Sequence, residues 1–270
     1  MINRRSLFNI ATAALLSLGL GGCATGDLLG DFNLISPAEE QRLGQNLSQE
    51  IAKENTLITD PTVDGFIQDV GQRLVTASKA NEPFQFYVIE DQSVNAFAIP
   101  GGHMYVHSGL MLAAETEAEV AAVMAHELAH AIQRHPTERM SRAMGAQMIM
   151  DVVLGDNSNR AVQTAANLAA SGGISAYSRS AELQADHIAL QILYRAGYNP
   201  EALVTFFQKL VQLERQSGGG PGGLNALFAS HPPTPERIQA AQNYIAQNGI
   251  PPQASDAITG SLDAAQDALK

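Results

Sequence analysis

Between Val120 and Ile132 the chain reads VAAVMAHELAHAI, and the polar residues among those thirteen are His126, Glu127 and His130. At 3.6 residues per turn the apolar positions cover nearly the whole circumference, which predicts a helix buried on every side. A chain that contains such a helix must build its core around it. His126 and His130 stand four apart, so their rings share one face. Glu127 lies about 100° round from His126, within reach of whatever the two rings hold. Burying two imidazoles and a carboxylate without partners costs several kcal/mol.

Two readings satisfy these groups. In one, the histidines hydrogen-bond to backbone within an ordinary core. In the other, His-Glu-x-x-His on a helix is the pattern of zinc hydrolases, with two neutral imidazoles as ligands and a glutamate that takes a proton from metal-bound water. The second reading needs a third ligand. The metzincin pattern requires Gly at 133 and His at 136, and Gln133 and Pro136 exclude it. A glutamate on a later helix is the alternative, and Glu182 in SRSAELQADHIAL supplies it, one turn before Asp186 on the same face. Three protein ligands leave a zinc ion one open position for water. Asp186 then accepts the outer N–H of a ligating imidazole and fixes its tautomer. By itself, such an acidic pair reads as a solvated helix face.

The 270 residues suffice for one large domain or two small ones, and 45% hydrophobic content allows a sizeable core. No stretch of 18 or more apolar residues is present. Arg4 and Arg5 precede an apolar run from Leu7 to Leu20, too short for a comfortable membrane span, which predicts a targeting segment over residues 1–22. Its end, Leu20-Gly21-Gly22-Cys23, resembles the bacterial lipobox, in which the cysteine is acylated after cleavage. In lipoproteins of this kind aspartate after the cysteine favours retention at the inner membrane, so Ala24 points to the outer membrane. Cys23 is the single cysteine, which excludes an intramolecular disulfide and a cysteine zinc site. The leader carries two Arg and no acid, so its removal takes the net charge from −11 to −13. Nucleic acid is a disfavoured partner for so acidic a surface.

Residues 23–35 suit a lipid-anchored tether, and residues 36–250 form the predicted domain, followed by a small, polar tail over 251–270. Ser36-Pro37-Ala38-Glu39 opens a helix with a capping box, running to about Asn55. Asp60 caps a second helix to about Ser78, with Val63, Phe66, Ile67, Val70 and Leu74 on one face. Pro83–Glu90 reads as a strand, and Asn95–Ile99 with His103–His107 as a hairpin turning at Pro100-Gly101-Gly102. Thr116 and Glu119 form a predicted capping box at the start of the central helix. Met140, Met144, Met148 and Met150 punctuate a small-residue stretch that reads either as an adaptable lid or as an ordinary amphipathic helix. Further helices are predicted over Ser180–Ala196, Pro200–Arg215 and from Thr234 to about Gln247, with a flexible SGGGPGG link at 217–223.

With these motifs in place the chain resembles the zinc metallopeptidase family that includes HtpX, the CAAX prenyl endopeptidases, BepA and LoiP. The resemblance spans roughly Ser36 to Asn248. It rests on Asn95-Ala96-Phe97-Ala98 with Pro100-Gly101-Gly102, His126-Glu127-Leu128-Ala129-His130, Ser178 to Glu182 running into Ala185-Asp186, and Ser230-His231-Pro232 with Arg237. It implies a mainly α fold with a small β-sheet (α+β) and a gluzincin-like core. One Zn2+ per chain is then held by His126, His130 and Glu182, with Glu127 as general base. The resemblance further implies that His231 reaches the site, to stabilise the oxyanion or to occupy the metal at rest, and it extends a supporting role to Arg237. Residue by residue, His231 and Arg237 would otherwise pass for a loop histidine and a surface charge. Asn95, Ala96, Phe97 and Ala98 would pair with extended substrate by β-augmentation, while His103 and His107 are read as non-ligands. The chain lacks the membrane helices of HtpX and the CAAX enzymes and the helical-repeat domain of BepA, and in layout it resembles LoiP. The expected function is zinc-dependent endopeptidase action on misfolded or unassembled envelope proteins, from a lipid anchor at Cys23 on the periplasmic side of the outer membrane. Outer-membrane assembly machinery is a possible partner. The rival is a chaperone-like assembly or quality-control factor whose zinc site is occluded or serves only binding.

Overall fold

The computed structural model describes residues 33–143, 165, 167, 176–217, 227, 230–250, 256 and 258–270, all within the unit Phe32–Lys270. Cys23, most of the tether, Met144, Met148, Met150 and the glycine-rich link after Ser217 lie outside them. Helix α1 (Pro37–Glu54) starts as its sequence dictates: Ser36 Oγ accepts from Glu39 N–H, and the Glu39 carboxylate accepts from Ser36 N–H. Helix α2 (Pro61–Ser78) begins at Asp60, whose carboxylate accepts from the backbone of Thr62 and Val63. The five apolar positions expected to line its face are all buried.

Four strands form one sheet in the order β1-β2-β4-β3: β1 (Leu57–Ile58), β2 (Gln85–Ile89), β3 (Ala96–Ile99) and β4 (His103–His107). β2 and β4 run parallel, whereas β3 and β4 make the expected antiparallel hairpin, with Ala96 opposite Val106 and Ile99 opposite His103. The hairpin turn needs glycine. Gly101 and Gly102 have φ of 81° and 82°, and a Cβ on Gly102 would lie 2.3 Å from the Pro83 carbonyl oxygen.

After the short α3 (Ser108–Ala113) comes α4 (Glu117–Ile132), buried at every position from Glu117 to His130. It packs against α2, the β3 edge, α5 (Arg179–Ala196) and α6 (Glu201–Ser217). The capping box predicted here forms only in half. Thr116 Oγ1 accepts from Glu119 N–H, but the Glu119 carboxylate turns to the Glu115 N–H and to Lys209 Nζ at 2.6 Å instead of to Thr116 N–H. A cation on α6 is the stronger partner. The chain then reverses at Gln133–Arg134, where Arg134 takes φ of 58°, and becomes helical again from His135.

α5 is capped by Ser178, starts at Arg179, one residue before the expected start, and ends at Gly197, which takes φ of 88°. Thr234 and Pro235 open α7 (Pro235–Gln247). The last residues are not all loop: α8 (Leu262–Ala268) buries Leu262 and Ala265 against α2 and α3. The architecture is mainly helical with one small sheet. Among the described residues no helix is long and apolar enough to cross a membrane.

Candidate metal centre

α4 presents the His126 and His130 rings one turn apart, with their Nε2 atoms separated by 3.1 Å. α5, packed across this face, brings Glu182 Oε2 to 3.5 Å from His126 Nε2 and Oε1 to 3.5 Å from His130 Nε2. The loop before α7 adds His231, whose Nδ1 lies 3.2 Å from His126 Nε2 and 2.9 Å from Glu182 Oε1. One ligand atom from each of these four residues falls within 4.8 Å of all the others, and all four residues are buried. A tetrahedral ion with bonds of about 2.0–2.2 Å spaces its ligand atoms about 3.3–3.5 Å apart. The observed separations of 2.9–3.5 Å reach that spacing or fall a few tenths of an ångström short of it, and the nitrogen and carboxylate donors suit a divalent cation.

Glu127 sits beside this group at 1% exposure. Its Oε2 accepts from the Ala98 N–H at 3.3 Å, and its Oε1 lies 3.4 Å from His231 Nε2. Strand β3 therefore brings Ala98 against the carboxylate. Phe97 and Ala98 are buried along with Ala96, and Asn95, just before the strand, is buried too. His103 and His107 lie on β4 and do not join the four-residue group.

A polar side chain lies beside the outer nitrogen of each α4 histidine. His126 Nδ1 lies 3.0 Å from Asp186 Oδ1, which leaves Nε2 free to offer a lone pair. Asp186 is itself gripped by Arg237, with Nη2 donating to Oδ1 at 2.7 Å and Nε to Oδ2 at 2.8 Å. Arg237 Nη1 also pairs with Glu182 Oε2 and donates to the Pro232 carbonyl. Read alone as a surface charge, Arg237 is 3% exposed and holds both acidic residues of α5. Its guanidinium also lies over the Phe207 ring.

Two contributors went unseen in the sequence. His135 Nδ1 lies 2.9 Å from His130 Nδ1, and its Nε2 lies 3.2 Å from Gln184 Oε1. Tyr177 stacks on the His130 ring with centroids 4.1 Å apart. A spacing of five does not put two residues on one helix face, and the His130–His135 contact is made across the turn at Gln133–Arg134. No pattern in the residues before α5 marks Tyr177.

Charge follows from this packing. Burial pulls the His126 pKa down, but the carboxylates of Asp186 and Glu182 outweigh it and push it up to about 9. Burial holds His130 well below the usual imidazole range, helped by the adjacent His126 and His231. For Asp186, burial works against ionisation, and Arg237 and His126 overcome it, so its pKa is lowered. Glu182 is lowered in the same way, mainly by His231, His126 and His130 against the cost of burial. Without a metal, this packing leaves Glu182 and Asp186 ionised and His130 neutral but His126 protonated at neutral pH, so a cation bound here would displace the His126 proton.

The model of peptidase family M48 matches residues 61–245. The chain belongs to this family. Among M48-type relatives, it is 30% identical over 227 residues to the beta-barrel assembly-enhancing protease of Escherichia coli, covering 79% of this chain and 45% of that protein. It is 27% identical to the mitochondrial metalloendopeptidase OMA1 of Schizosaccharomyces pombe over 83% of this chain and 66% of the relative. It is 28% identical to the metalloprotease LoiP of Escherichia coli over 80% and 84%. The chain thus spans about half the length of the assembly-enhancing proteases it matches.

Proposed function

We propose that this M48 chain is a zinc-dependent endopeptidase, with His126, His130 and Glu182 as metal ligands and Glu127 as general base. One observation carries the reading: four buried donors converge at metal-ligand spacing with a buried glutamate directly alongside. Zinc bound there would lower the pKa of its water toward 7 and polarise the scissile carbonyl. Glu127 would then take a proton from the attacking water and pass it to the leaving nitrogen. The Ala98 N–H fixes Oε2 and leaves Oε1 to face the reacting atoms. Asp186 and Arg237 orient His126 and Glu182, and His135 orients His130. His231 Nε2, close to Glu127 Oε1, can donate to a developing oxyanion. Backbone groups from Asn95 to Ala98 would pair with an extended substrate.

A second reading has a specific observation behind it. His231 Nδ1 lies as close to His126 Nε2 and Glu182 Oε1 as a fourth ligand would. A site held in that arrangement is occluded at rest and would serve a chaperone-like holding role. Casein digestion with and without a chelator separates the two readings.

For the substrates, we infer misfolded or unassembled envelope proteins, met from a lipid anchor at Cys23 on the periplasmic side of the outer membrane. The lipobox-like residues before Cys23 support this, as does the similarity to beta-barrel assembly-enhancing proteases. The test of the chemistry is Glu127→Gln: metal content stays at about one per chain while peptide cleavage falls by roughly 100-fold or more. Undiminished cleavage would remove Glu127 from the mechanism.

A further inference from the structure

A hollow of about 230 Å³ opens beside the metal centre, lined in part by His135, Glu138, Arg139, Arg142 and Tyr177. It holds several waters or one side chain, a water taking about 30 Å³ of liquid. Two of its walls are shared with the centre, since Tyr177 stacks on His130 and His135 touches His130 Nδ1. The Arg139 guanidinium lies over the same tyrosine, 4.2 Å from the Tyr177 ring centroid. Ligand imidazole, tyrosine and guanidinium are thus linked in two ring-spacing steps. An extended peptide advances about 3.3 Å per residue, so a chain crossing the metal brings a side chain or its own terminus to this hollow within two or three residues.

Arg139 is the anomaly. Its Nε and Nη1 are buried and have no hydrogen-bond partner among the described residues, although buried donors without acceptors are costly. Tyr177 offers a π face but no acceptor for those N–H groups. Glu138, the carboxylate in the lining, is engaged by Arg142 Nη2 through Oε1 at 2.5 Å. The chain as a whole carries a charge of −11, yet this wall presents two guanidiniums against one carboxylate.

We propose that this hollow is a carboxylate-binding subsite, in which Arg139 takes an acidic side chain or the terminal carboxylate of a peptide laid across the metal centre. Arg139 thereby sets specificity rather than chemistry. The assignment rests on the peptidase reading above.

The test uses the full chain loaded with zinc and carrying Glu127→Gln, so that binding is read without turnover. Four fluorescent peptides share one sequence, with Glu or Gln at one flanking position and a free or amidated C-terminus. One acidic form binds about tenfold or more tighter than its neutral counterpart, the effect of one charged hydrogen bond. The pair that shows the difference tells whether a side chain or a terminus is bound. Adding Arg139→Gln brings that ratio close to one, whereas Arg139→Lys keeps part of it and controls for folding. Equal affinities with Arg139 present, or a ratio that survives Arg139→Gln, would overturn the subsite. Chelator-sensitive cleavage of the neutral peptides by the unsubstituted chain with no acidic preference sinks the subsite alone. No binding and no cleavage of any peptide sinks the peptidase reading with it.

Discussion

At 3% exposure the Arg237 guanidinium is held by two carboxylates and not by water. It forks onto Asp186 and reaches Glu182 from the same head group. Lysine, a point charge, cannot match the fork. Arg237→Gln should therefore leave both acids buried with too little compensation, costing about 3–5 kcal/mol of stability and roughly 10–100-fold in metal affinity. Chelator competition and a thermal melt measure the two effects. Retained zinc affinity would mean that Glu182 needs no such partner. The parts of this site legible in the sequence are those with local spacing: His126 and His130 four apart, Glu182 and Asp186 four apart, and Glu127 between the rings. Arg237 and His231 became visible only through family resemblance, because His231 lies in a loop and Arg237, in the first turn of α7, meets its partners from another helix and not at a local spacing. His135 and Tyr177 stayed hidden, because their contacts depend on a backbone reversal and a tertiary approach that no spacing encodes.

α4 is held at its first turn by a second buried acid. Glu117 accepts from Tyr198 Oη at 2.7 Å, from the backbone N–H groups of Thr259 and Gly260, and from Thr259 Oγ1. The Ala118 N–H also donates to the Asp256 carbonyl. This carboxylate ties the end of the chain to the start of the helix that carries His126. Burial alone would raise its pKa, but the hydroxyl and N–H donors around it win, and it is lowered from 4.5. A depressed folded pKa contributes stability that is complete above the unfolded value and is lost as pH falls through the folded value. Wild type should therefore weaken as pH drops below about 4.5. Glu117→Gln should be about 2–3 kcal/mol less stable at pH 7 and show a flatter acid limb in urea unfolding followed across pH. An identical acid limb in the variant would show that Glu117 is not the group responsible. Long amphipathic faces such as that of α2 were readable in advance. α8 was not, because two buried positions three apart are too short a pattern to identify a helix.

On the scale of the molecule, the N-terminal segment is sewn to the region just beyond the metal helix. Asn33 donates to Thr137 Oγ1, Leu34 N–H to Ser141 Oγ, and Arg134 spans Glu40 and the Ile35 carbonyl. Cys23→Ser should move the protein from the membrane to the soluble fraction without changing casein cleavage in detergent, and unchanged fractionation would end the lipoprotein reading. Both mainly helical architecture and the small sheet follow from the periodicities along the chain. The order in which the strands pair does not, because the parallel neighbour of β2 is β4 across an intervening hairpin strand.

The donors at the metal centre come from three distant parts of the chain, with His126 and His231 separated by 105 positions and Glu182 and His231 by 49. Contacts over such distances form late in folding. While the polypeptide is still being made, the α4 histidines are present without the acid that completes them, so under the peptidase reading proposed above the site is assembled by the same folding event that makes the chain hard to cut. On that reading, biosynthesis itself acts as the safety catch.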